Sequence, residues 1–370
     1  MQPIDQQRKD DHLIHALKQH AVSPNTANTS STNTSPASSF DNVRFVHHAI
    51  QADGIAQSEI SLSTQWAGTE HAVPLYINGM TGGSPAAKRY NQQLAEIARE
   101  TGLPMASGSV SIALKNPTDD EIRESFTVIR STHQEGFVLA NLGAGKTLED
   151  AKKVVEWLEA DALQIHLNRP QEVIMPEGDR DFSKWSDHIQ NIIENVGVPV
   201  VVKEVGFGMS RESIAHLIQL GAQTIDISGR GGTNFAQIEN LRRDHLDFTL
   251  LENWGQTTAE SLLESLPYQD QTEILASGGV RHYYDAVRAF ALGTRAVGLS
   301  GHLLHLVDQG GVTAGVEFVQ STLEAIRHCC LLLNARCVTD LAHCPIVLTG
   351  ELKDWATARG IDYLELAQRR

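Results

Sequence analysis

Four polar side chains within seven residues form the stretch of this sequence that is richest in possible chemistry. His166, Asn168, Gln171 and Glu172 follow the apolar run ALQIHL, and Pro170 predicts that an irregular loop interrupts any helix there. A strand that ends in such a loop presents several side chains to one ligand. His166 is either a hydrogen-bonded core residue or a ligand contact, and Glu172 is either a surface ion-pair partner or an oxygen ligand for Mg²⁺. Asn168 and Gln171 are neutral, so they orient a ligand without titrating.

A second candidate is Lys203, which lies at the end of the apolar run VPVVVKEV. A lysine at the end of a buried strand is costly unless it has a negative partner. One interpretation is a salt bridge to Glu204 or to a neighbouring acid. The other is a cation that faces negative charge developing on a ligand, and the position at a strand end favours it.

Glycine-rich loops follow most of the apolar runs. Glycine lets backbone N–H groups approach a flat ligand or an anion, although the same loops also fit simple tight turns. In barrel enzymes the loops after the last two strands commonly bind a phosphate group. The loops begin at Asn78, Gly108, Asn141, Ser228, Ser277 and Gly298.

The elements that must position these residues repeat along the chain. From Val73 onward, eight apolar runs alternate with amphipathic helical stretches at a mean spacing of roughly 30 residues. This pattern predicts an α/β fold, a (β/α)₈ TIM barrel, whose functional side chains gather at the carboxyl ends of the strands. A doubly wound open sheet is the alternative, but it usually has fewer strands. The runs begin at Val73, Leu103, Phe137, Ala162, Val198, Thr224, Glu273 and Ala296.

The remaining segments predict additions to this barrel. Residues 1–22 form an N-terminal arm, and residues 23–39, rich in Ser, Thr, Asn and Pro, form a disordered linker. Two alternating runs in residues 40–72 predict a short strand pair that precedes the barrel. We assign residues 73–350 to the barrel and residues 351–370 to a C-terminal helical tail.

The bulk composition favours a cytoplasmic enzyme. The chain has 370 residues, of which 41% are hydrophobic, enough for one large α/β domain. Its net charge of -15 argues against nucleic-acid binding. No apolar run approaches the ~20 residues of a membrane helix, and the N-terminus lacks the apolar core of a signal peptide. Four cysteines without a CxxC pair predict reduced thiols.

Several motifs taken together carry a resemblance to one enzyme family. The most specific are PQEVIMPEGDRDF and KEVGFGMS, and they occur with RKDDH, FDNVRFVHH, INGMTGGS, ISGRGGTNF, IEN, WGQTT and ASGGVR. From Arg8 to about Ser300 the chain resembles the type 2, FMN-dependent isopentenyl-diphosphate isomerases. The resemblance implies a flavoprotein of isoprenoid biosynthesis that interconverts isopentenyl and dimethylallyl diphosphate with reduced FMN and Mg²⁺. It further implies NADPH or NADH as reductant and a homo-oligomer, a tetramer or an octamer.

The resemblance also implies roles for individual residues. Gln171 would lie beside the allylic carbons, Glu172 would hold Mg²⁺ against the diphosphate, and Lys203 would stabilise the reduced flavin near its N1 edge. The substrate would be bound by Arg8, Lys9, Ser109, Ser111, His166, Asn168 and Gln171. FMN would contact Met80, Thr81, Gly82, Ser109, Asn141, Lys203, Ser228 and Thr233, and its phosphate would contact Gly278, Gly279, Arg281, Ser300 and Gly301.

Three features depart from the family pattern, and two other functions stay open. Ser111 stands where Arg or His is common, Gly301-His302 replaces an Arg-Pro pair, and the polar insert from Ala21 to Ser39 is long.

An FMN-dependent 2-hydroxy-acid oxidase would need a histidine base where this chain has Arg230. A non-catalytic barrel that binds flavin or phosphate is the second alternative.

Overall fold

The computed structural model of this chain describes residues 4–20, 39–51, 53–243 and 245–369. In the first of these ranges it describes the side chains of residues 9 and 11–20. The predicted disordered linker, residues 23–39, therefore lies outside the described residues except at its last position. The side chain of Arg8 lies outside them as well.

Among the described residues, twelve short strands form one closed barrel and two separate pairs. In chain order the strands are β1 Val43–Phe45, β2 Thr64–Trp66, β3 Thr69–His71, β4 Leu75–Ile77, β5 Met105–Ala106, β6 Val138–Gly143, β7 Ala162–Leu167, β8 Val200–Glu204, β9 Thr224–Asp226, β10 Glu273–Ser277, β11 Ala296–Leu299 and β12 Ile346–Leu348. Strands β4 to β11 are parallel and follow one another around the barrel, and β11 pairs with β4 to close it. The predicted (β/α)₈ TIM barrel is confirmed, because each of the eight apolar runs supplies one barrel strand.

Burial explains why these strands lack polar alternation. Every residue of β4, β8, β9 and β11 is buried, since one face meets the barrel interior and the other meets the helices. Polar side chains such as Asn141, His166 and Lys203 occur at the carboxyl ends of their strands. The fold thus directs its polar groups to one end of the barrel.

Helices surround the barrel and add an arm and a tail. They are α1 Ile4–His20, α2 Pro85–Thr101, α3 Ser111–Lys115, α4 Asp120–Thr132, α5 Leu148–Leu158, α6 Arg169–Ile174, α7 Trp185–Asn195, α8 Arg211–Gln219, α9 Phe235–Leu241, α10 Thr258–Ser265, α11 Tyr283–Ala291, α12 Gly301–Leu333 and α13 Gly350–Ala358. Helix α12 is kinked at Gly311, whose φ of 67° is not helical. Within the described ranges, no helix combines the length and the apolar character needed to cross a bilayer.

The extra strands do not pair as the sequence pattern suggests. The two runs in residues 40–72 are not partners: β1 pairs antiparallel with β12, near the C-terminus, and β2 pairs with β3. Ala67 and Gly68, between β2 and β3, both have positive φ, as a tight two-residue hairpin turn requires. The second run therefore folds back on itself, and β1 finds its partner on a distant segment.

The hairpin of β2 and β3 contributes the residue that plugs the amino end of the barrel. Trp66 is fully buried and its ring contacts the rings of Tyr76 and Phe137, with centroids 5.3 and 5.7 Å apart. A bulky aromatic side chain in this position fills the barrel interior from one end. A ligand must therefore enter from the opposite end, where the strands terminate.

The N-terminal arm is a helix that packs onto the barrel. Helix α1 contacts α12, α2 and α9, and it buries Leu13 and Ala16. Gln19 donates a hydrogen bond to Gln237 of α9 at 2.8 Å. These contacts hold the arm beside the loops that follow β9 and β11.

Candidate active site

A cavity of about 320 Å³ opens at the carboxyl ends of the barrel strands. Its size falls within the ~300–1,000 Å³ that is typical of small-molecule sites. The predicted site residues that line it are Lys9, Met80, Ser109, Ser111, Asn141, His166, Asn168, Gln171, Glu172, Lys203, Ser228, Thr233, Gly278 and Ser300. The fold therefore brings together residues that are separated by almost 300 positions in the chain.

A larger cavity of about 660 Å³ lies elsewhere, around His71 and His133. None of the predicted site residues lines it. Functional side chains of TIM barrels are carried by the loops at the carboxyl ends of the strands. We therefore assign the candidate active site to the smaller cavity.

Some predicted cofactor contacts do not line the candidate site. These residues are Thr81, Gly82, Gly279, Arg281 and Gly301. Arg281 is the most informative, because its guanidinium binds Asp285 and Asp41, with both N–O distances at 2.9 Å. Burial alone would lower the pKa of Arg281. The hydrogen bonds with these two carboxylates outweigh burial, so the pKa lies above its usual range. The guanidinium of Arg281 thus has two carboxylate partners in the free chain, and its contact with a cofactor phosphate stays a prediction.

His166 is held as a neutral imidazole of defined orientation. Its Nδ1 lies 2.8 Å from Oδ1 of Asn141, and an amide oxygen only accepts, so Nδ1 carries the proton. Burial, together with the positive charges of Lys203, Lys9 and Lys146, lowers the pKa of His166 to about 3. The free protein therefore keeps Nε2 unprotonated at neutral pH, and an anionic ligand nearby would favour its protonation.

A chain of buried amides extends from His166 across the barrel. The Asn141 amide donates to Gln164 at 3.1 Å, and Gln164 donates to Asn78 at 3.2 Å. Asn78 in turn donates to the Asp226 carboxylate at 2.8 Å. Because each amide is fixed by the next, this network sets the orientation of the side chains that form the cavity floor.

Asp226 is the negative end of this network. Its carboxylate accepts hydrogen bonds from the Tyr76 hydroxyl at 2.8 Å and the Ser277 hydroxyl at 2.9 Å. Burial and the adjacent charge of Asp226 raise the pKa of Tyr76 well above its ordinary value. Asp226 also lies opposite Lys203 in the pairing of β8 with β9. The buried carboxylate thus supplies the negative partner that a buried lysine requires.

Lys203 does not form the salt bridge with Glu204 that one interpretation of the sequence offers. Its Nζ donates to the backbone carbonyl of Glu204 at 2.6 Å, while the Glu204 carboxylate accepts three backbone N–H groups of the following loop at 2.6–2.8 Å. Burial lowers the pKa of Lys203, and the charges of Asp226 and Glu204 oppose that shift. Burial raises the pKa of Glu204 to about 8. The three N–H donors favour the anion and so oppose this rise. Lys203 therefore remains available at the cavity wall.

Gln171 lies on α6, which begins where the sequence predicts an irregular loop. Pro170 sits in the first turn of this helix, where a missing N–H group is harmless, so the prediction that it interrupts the helix is wrong. The Gln171 amide donates to the buried Glu239 carboxylate at 2.8 Å. Glu239 also pairs with His12 at 2.8 Å and with Arg242 at 2.5 Å. Burial raises the pKa of Glu239, but His12, Gln171 and Arg242 hold it at about 2, so its charge is fixed.

Glu172 is placed to hold a metal together with a ligand. One of its carboxylate oxygens accepts a hydrogen bond from Asn168 and the other accepts one from the Asp179 N–H, both at 2.8 Å. Among the residues that the structure describes, no three His, Cys, Asp or Glu side chains converge to hold a metal by themselves. Mg²⁺ commonly uses one or two carboxylates and completes its shell with water and substrate phosphates. The residues fit such a shared site.

The loops after β9 and β10 form a backbone cradle that fits a flavin. Gly278 has a φ of 83°, and a Cβ there would lie 2.1 Å from the carbonyl oxygen of Gly229. Only glycine permits this close approach, which leaves backbone and small side chains such as Ser228 and Thr233 facing the cavity. Together with the Lys203 ammonium, this donor set suits a planar ring with a polar edge.

Two related sequences align with almost the whole length of this chain. The isopentenyl-diphosphate delta-isomerase of Streptomyces sp. is 46% identical over 364 residues, covering 98% of this chain and 95% of its own. That of Staphylococcus haemolyticus is 44% identical over 357 residues, covering 96% and 97%. The family model for FMN-dependent dehydrogenases matches residues 133–341, more than half of the chain. The chain belongs to the isopentenyl-diphosphate delta-isomerase family, and its barrel to the FMN-dependent dehydrogenases.

Solved structures with the same barrel are more distant from this isopentenyl-diphosphate delta-isomerase family member. Mandelate oxidase with (S)-2-phenylpropionate has a TM-score of 0.62 at 16% identity, covering 93% of this chain and 97% of its own. A mutant flavocytochrome b2 with benzoylformate has a TM-score of 0.61 at 19% identity, covering 82% and 75%. At such identities the likeness shows the fold alone.

Two site residues of this isopentenyl-diphosphate delta-isomerase family member were missed from the sequence. His12 and Glu239 line or support the cavity, yet neither carries a predicted role. Both occur in motifs that contribute to the resemblance, RKDDH and IEN. A signal was therefore present, but only the folded chain shows that the two side chains meet each other and Gln171.

Proposed function

We propose that this protein interconverts isopentenyl and dimethylallyl diphosphate with reduced FMN and Mg²⁺. The observation that carries the proposal is that Lys9, His166 and Glu172, suited to a diphosphate, line the same cavity as Lys203 and Gln171. Family membership supports FMN as the cofactor. Mg²⁺, NADPH as the reductant and a cytoplasmic location are further parts of this proposal.

The diphosphate would lie at the end of the cavity that carries positive charge. Lys9, on the N-terminal arm, donates to the carbonyl of Ser109 at 3.4 Å, so the arm reaches the loop after β5. His166 gains a proton most readily beside an anion, and Asn168 donates from the first turn of α6. Mg²⁺, when bound at Glu172, neutralises part of the diphosphate charge. These residues bind and orient the substrate.

The hydrocarbon end of the substrate would lie beside Gln171. Protonating an unactivated alkene carbon requires a strong acid, and removing a proton from the neighbouring carbon requires a base; a carboxamide is neither. Gln171 is instead the catalytic residue that would contact and orient the reacting carbons, because Glu239 fixes its amide at 2.8 Å and leaves its orientation little freedom. Reduced FMN, when bound, would supply the acid–base chemistry through its N5 and N1 atoms.

Lys203 would stabilise charge at the cofactor edge. Its ammonium is buried and its position is set by the Glu204 carbonyl at 2.6 Å. In a low-dielectric site a fixed cation stabilises nearby negative charge more strongly than it does in water. The residue therefore serves the electrostatics of the reduced ring.

The test is an anaerobic assay of isopentenyl diphosphate with FMN, Mg²⁺ and NADPH. We expect Gln171→Ala and Glu172→Ala each to lose most of the activity, while Gln190→Ala, an exposed glutamine on α7, keeps it. Unchanged rates in both site variants would refute the assignment. A flavin analogue that cannot be protonated at N5 should not support turnover, and full turnover with it would exclude the proposed acid–base role.

An FMN-dependent 2-hydroxy-acid oxidase is the competing activity on this barrel. The loop from Ile227 to Phe235 contains no histidine. Arg230, which takes the place of that base, donates to the Asn253 carbonyl at 2.9 Å and does not line the cavity. Oxygen consumption with 2-hydroxy acids should therefore be absent, and a rate comparable to the isomerisation would favour the oxidase.

A further inference from the structure

His20, the last residue of α1, lies against the start of α12. A Cβ added at Gly301 would lie 2.1 Å from Nε2 of His20 and 2.8 Å from Oγ1 of Thr233. His20 Nε2 is also 3.1 Å from that Thr233 hydroxyl. Thr233 and Ser300 both line the candidate active site. The imidazole is therefore wedged between the loop after β9 and the loop after β11, beside the predicted position of the cofactor phosphate.

Among the described residues, the cation predicted to contact that phosphate already has carboxylate partners. Arg281 is bound to Asp285 and Asp41. A phosphate dianion in such a site is held by backbone N–H groups and the start of α12, which supply only partial positive charge. An additional cation would complement the second negative charge.

Two further histidines, His302 and His305, lie in the first turns of α12, next to the contact of His20 with Gly301. His302 and His305, both on α12, act on His20, and burial followed by these two neighbours lowers the pKa of His20 to about 4. Burial and then His305 lower the pKa of His302 as well. Without an anion His20 is therefore neutral at physiological pH. A buried imidazole whose pKa is held low responds strongly when a negative charge arrives.

The acidic groups around this cluster already have partners. Helix α12 carries Asp308 one turn after His305, and its carboxylate accepts a hydrogen bond from Tyr90 of α2. Helix α9 carries Glu239, which pairs with His12 and Arg242. No carboxylate contributes to the pKa of His20 among the described residues. An arriving phosphate would thus be the first anion to face the histidines.

We propose that His20, His302 and His305 form a proton-binding cluster that becomes cationic when the phosphate of FMN binds at the start of α12. On binding, the cluster takes up a proton from solvent, and the imidazolium then faces the phosphate dianion. This inference rests on the proposed function, because it takes FMN as the cofactor. It adds that cofactor affinity is coupled to pH and to the docking of the N-terminal arm.

The direction of the pH dependence follows from linkage. Protonation favours the bound state, so FMN affinity falls as pH rises toward the pKa of the cluster in the complex and levels off above it. With one proton linked, the dissociation constant rises by up to about tenfold per pH unit within that window. The second pKa of a phosphate monoester is near 6, so above pH 7 the ligand itself changes little in charge. Riboflavin, which lacks the phosphate, should bind without this dependence.

The experiment measures FMN and riboflavin binding to the apoprotein by flavin fluorescence quenching between pH 7 and 9. Calorimetry in buffers of different ionisation enthalpy counts the protons taken up. We expect FMN to take up about half a proton or more beyond riboflavin at pH 7, and its dissociation constant to rise about twofold or more across the range. Equal proton uptake for the two ligands would overturn the proposal without involving any variant.

Histidine variants test which side chains bind the protons that are taken up with FMN. The triple change His20→Gln, His302→Gln and His305→Gln should remove the excess proton uptake and flatten the pH dependence, whereas His48→Gln, an exposed histidine, should leave both intact. Persistence of the full dependence in a folded triple variant would overturn the proposal. Failure to bind FMN at any pH would instead refute the proposed function, and FMN binding without linked protons would refute only the histidine cluster.

Discussion

At the scale of single residues, the contact between Glu239 and Gln171 is the most direct to test. Glu239→Gln keeps the size of the side chain but removes the charge that His12, Arg242 and Gln171 share. A hydrogen bond to a charged group contributes about 1.5–3 kcal/mol, so we expect kcat to fall about tenfold to a hundredfold. FMN affinity should be unchanged. Steady-state kinetics with Glu194→Gln, an exposed glutamate on α7, as control distinguishes positioning from a general loss of charge.

The same carboxylate makes stability depend on pH. The pKa of Glu239 is lowered from 4.5 to about 2 in the folded protein. A lowered carboxyl pKa stabilises the fold above the unfolded value, and this contribution disappears as pH falls from 4.5 to 2. The difference amounts to about 3 kcal/mol. We expect wild type to exceed Glu239→Gln in urea midpoint at pH 7 and the gap to narrow as the pH falls from 4.5 toward 2. A gap that is constant with pH would show that the charge is not responsible.

The chemical types of the site residues could be predicted from the sequence, but their partners could not. Lys203 illustrates the limit, because the adjacent Glu204 was its most obvious acid. The structure shows that Glu204 serves the loop N–H groups, while Asp226 lies opposite Lys203 through the register of β8 and β9. Strand register is a property of the closed barrel, and one sequence does not reveal it.

At the scale of elements, two lysines of helix α1 test whether the N-terminal arm binds the substrate directly. Lys9 lines the cavity near the start of α1, and Lys18 is exposed near its end. We expect Lys9→Gln to raise KM for the diphosphate about tenfold, as the loss of one phosphate contact implies, with a smaller effect on kcat. Lys18→Gln should change neither. Equal effects of the two changes would indicate that the arm acts only through its overall charge.

The β2–β3 hairpin makes a prediction about stability. Trp66 is fully buried at the amino end of the barrel, so Trp66→Ala should lower the free energy of unfolding by about 3–5 kcal/mol. Tyr283 is 43% exposed and provides an aromatic control, and Tyr283→Ala should shift stability little. Urea unfolding followed by circular dichroism measures both. Comparable losses in the two variants would show that Trp66 does not plug the barrel.

Elements inside the repeat could be predicted, and those outside it only in part. The eight barrel strands could be recognised in the sequence, because a strand that is buried on both faces has a continuous apolar run. No comparable pattern in the sequence indicates that β1 pairs with β12, since β12 lies about 300 residues away and only three positions of the two strands pair. The N-terminal arm was predicted, but its packing against α12 depends on where the barrel places its eighth strand.

At the scale of the whole molecule, the barrel has two ends with different tasks. Trp66 closes the amino end with aromatic packing, and the carboxyl end gathers the polar and charged groups. Helix α1 connects the two binding functions, because Lys9 near its start reaches the cavity and His20 at its end contacts the loop after β11. Substrate and cofactor phosphates would therefore both bear on the same helix.

The predicted homo-oligomer needs a surface that a second copy would cover. Large hydrophobic side chains are exposed on the segment after α9: Leu246 at 66%, Leu250 at 96% and Trp254 at 59%. Exposed apolar residues concentrated in one segment are typical of protein contacts. We expect sedimentation equilibrium to show a tetramer or an octamer, and the double change Leu246→Asp and Leu250→Asp to lower the mass. Leu364→Asp, at an exposed position near the C-terminus, is the control and should leave the mass unchanged. A monomeric wild type would contradict the oligomer, and an unaltered mass in the double variant would place the contact on another surface.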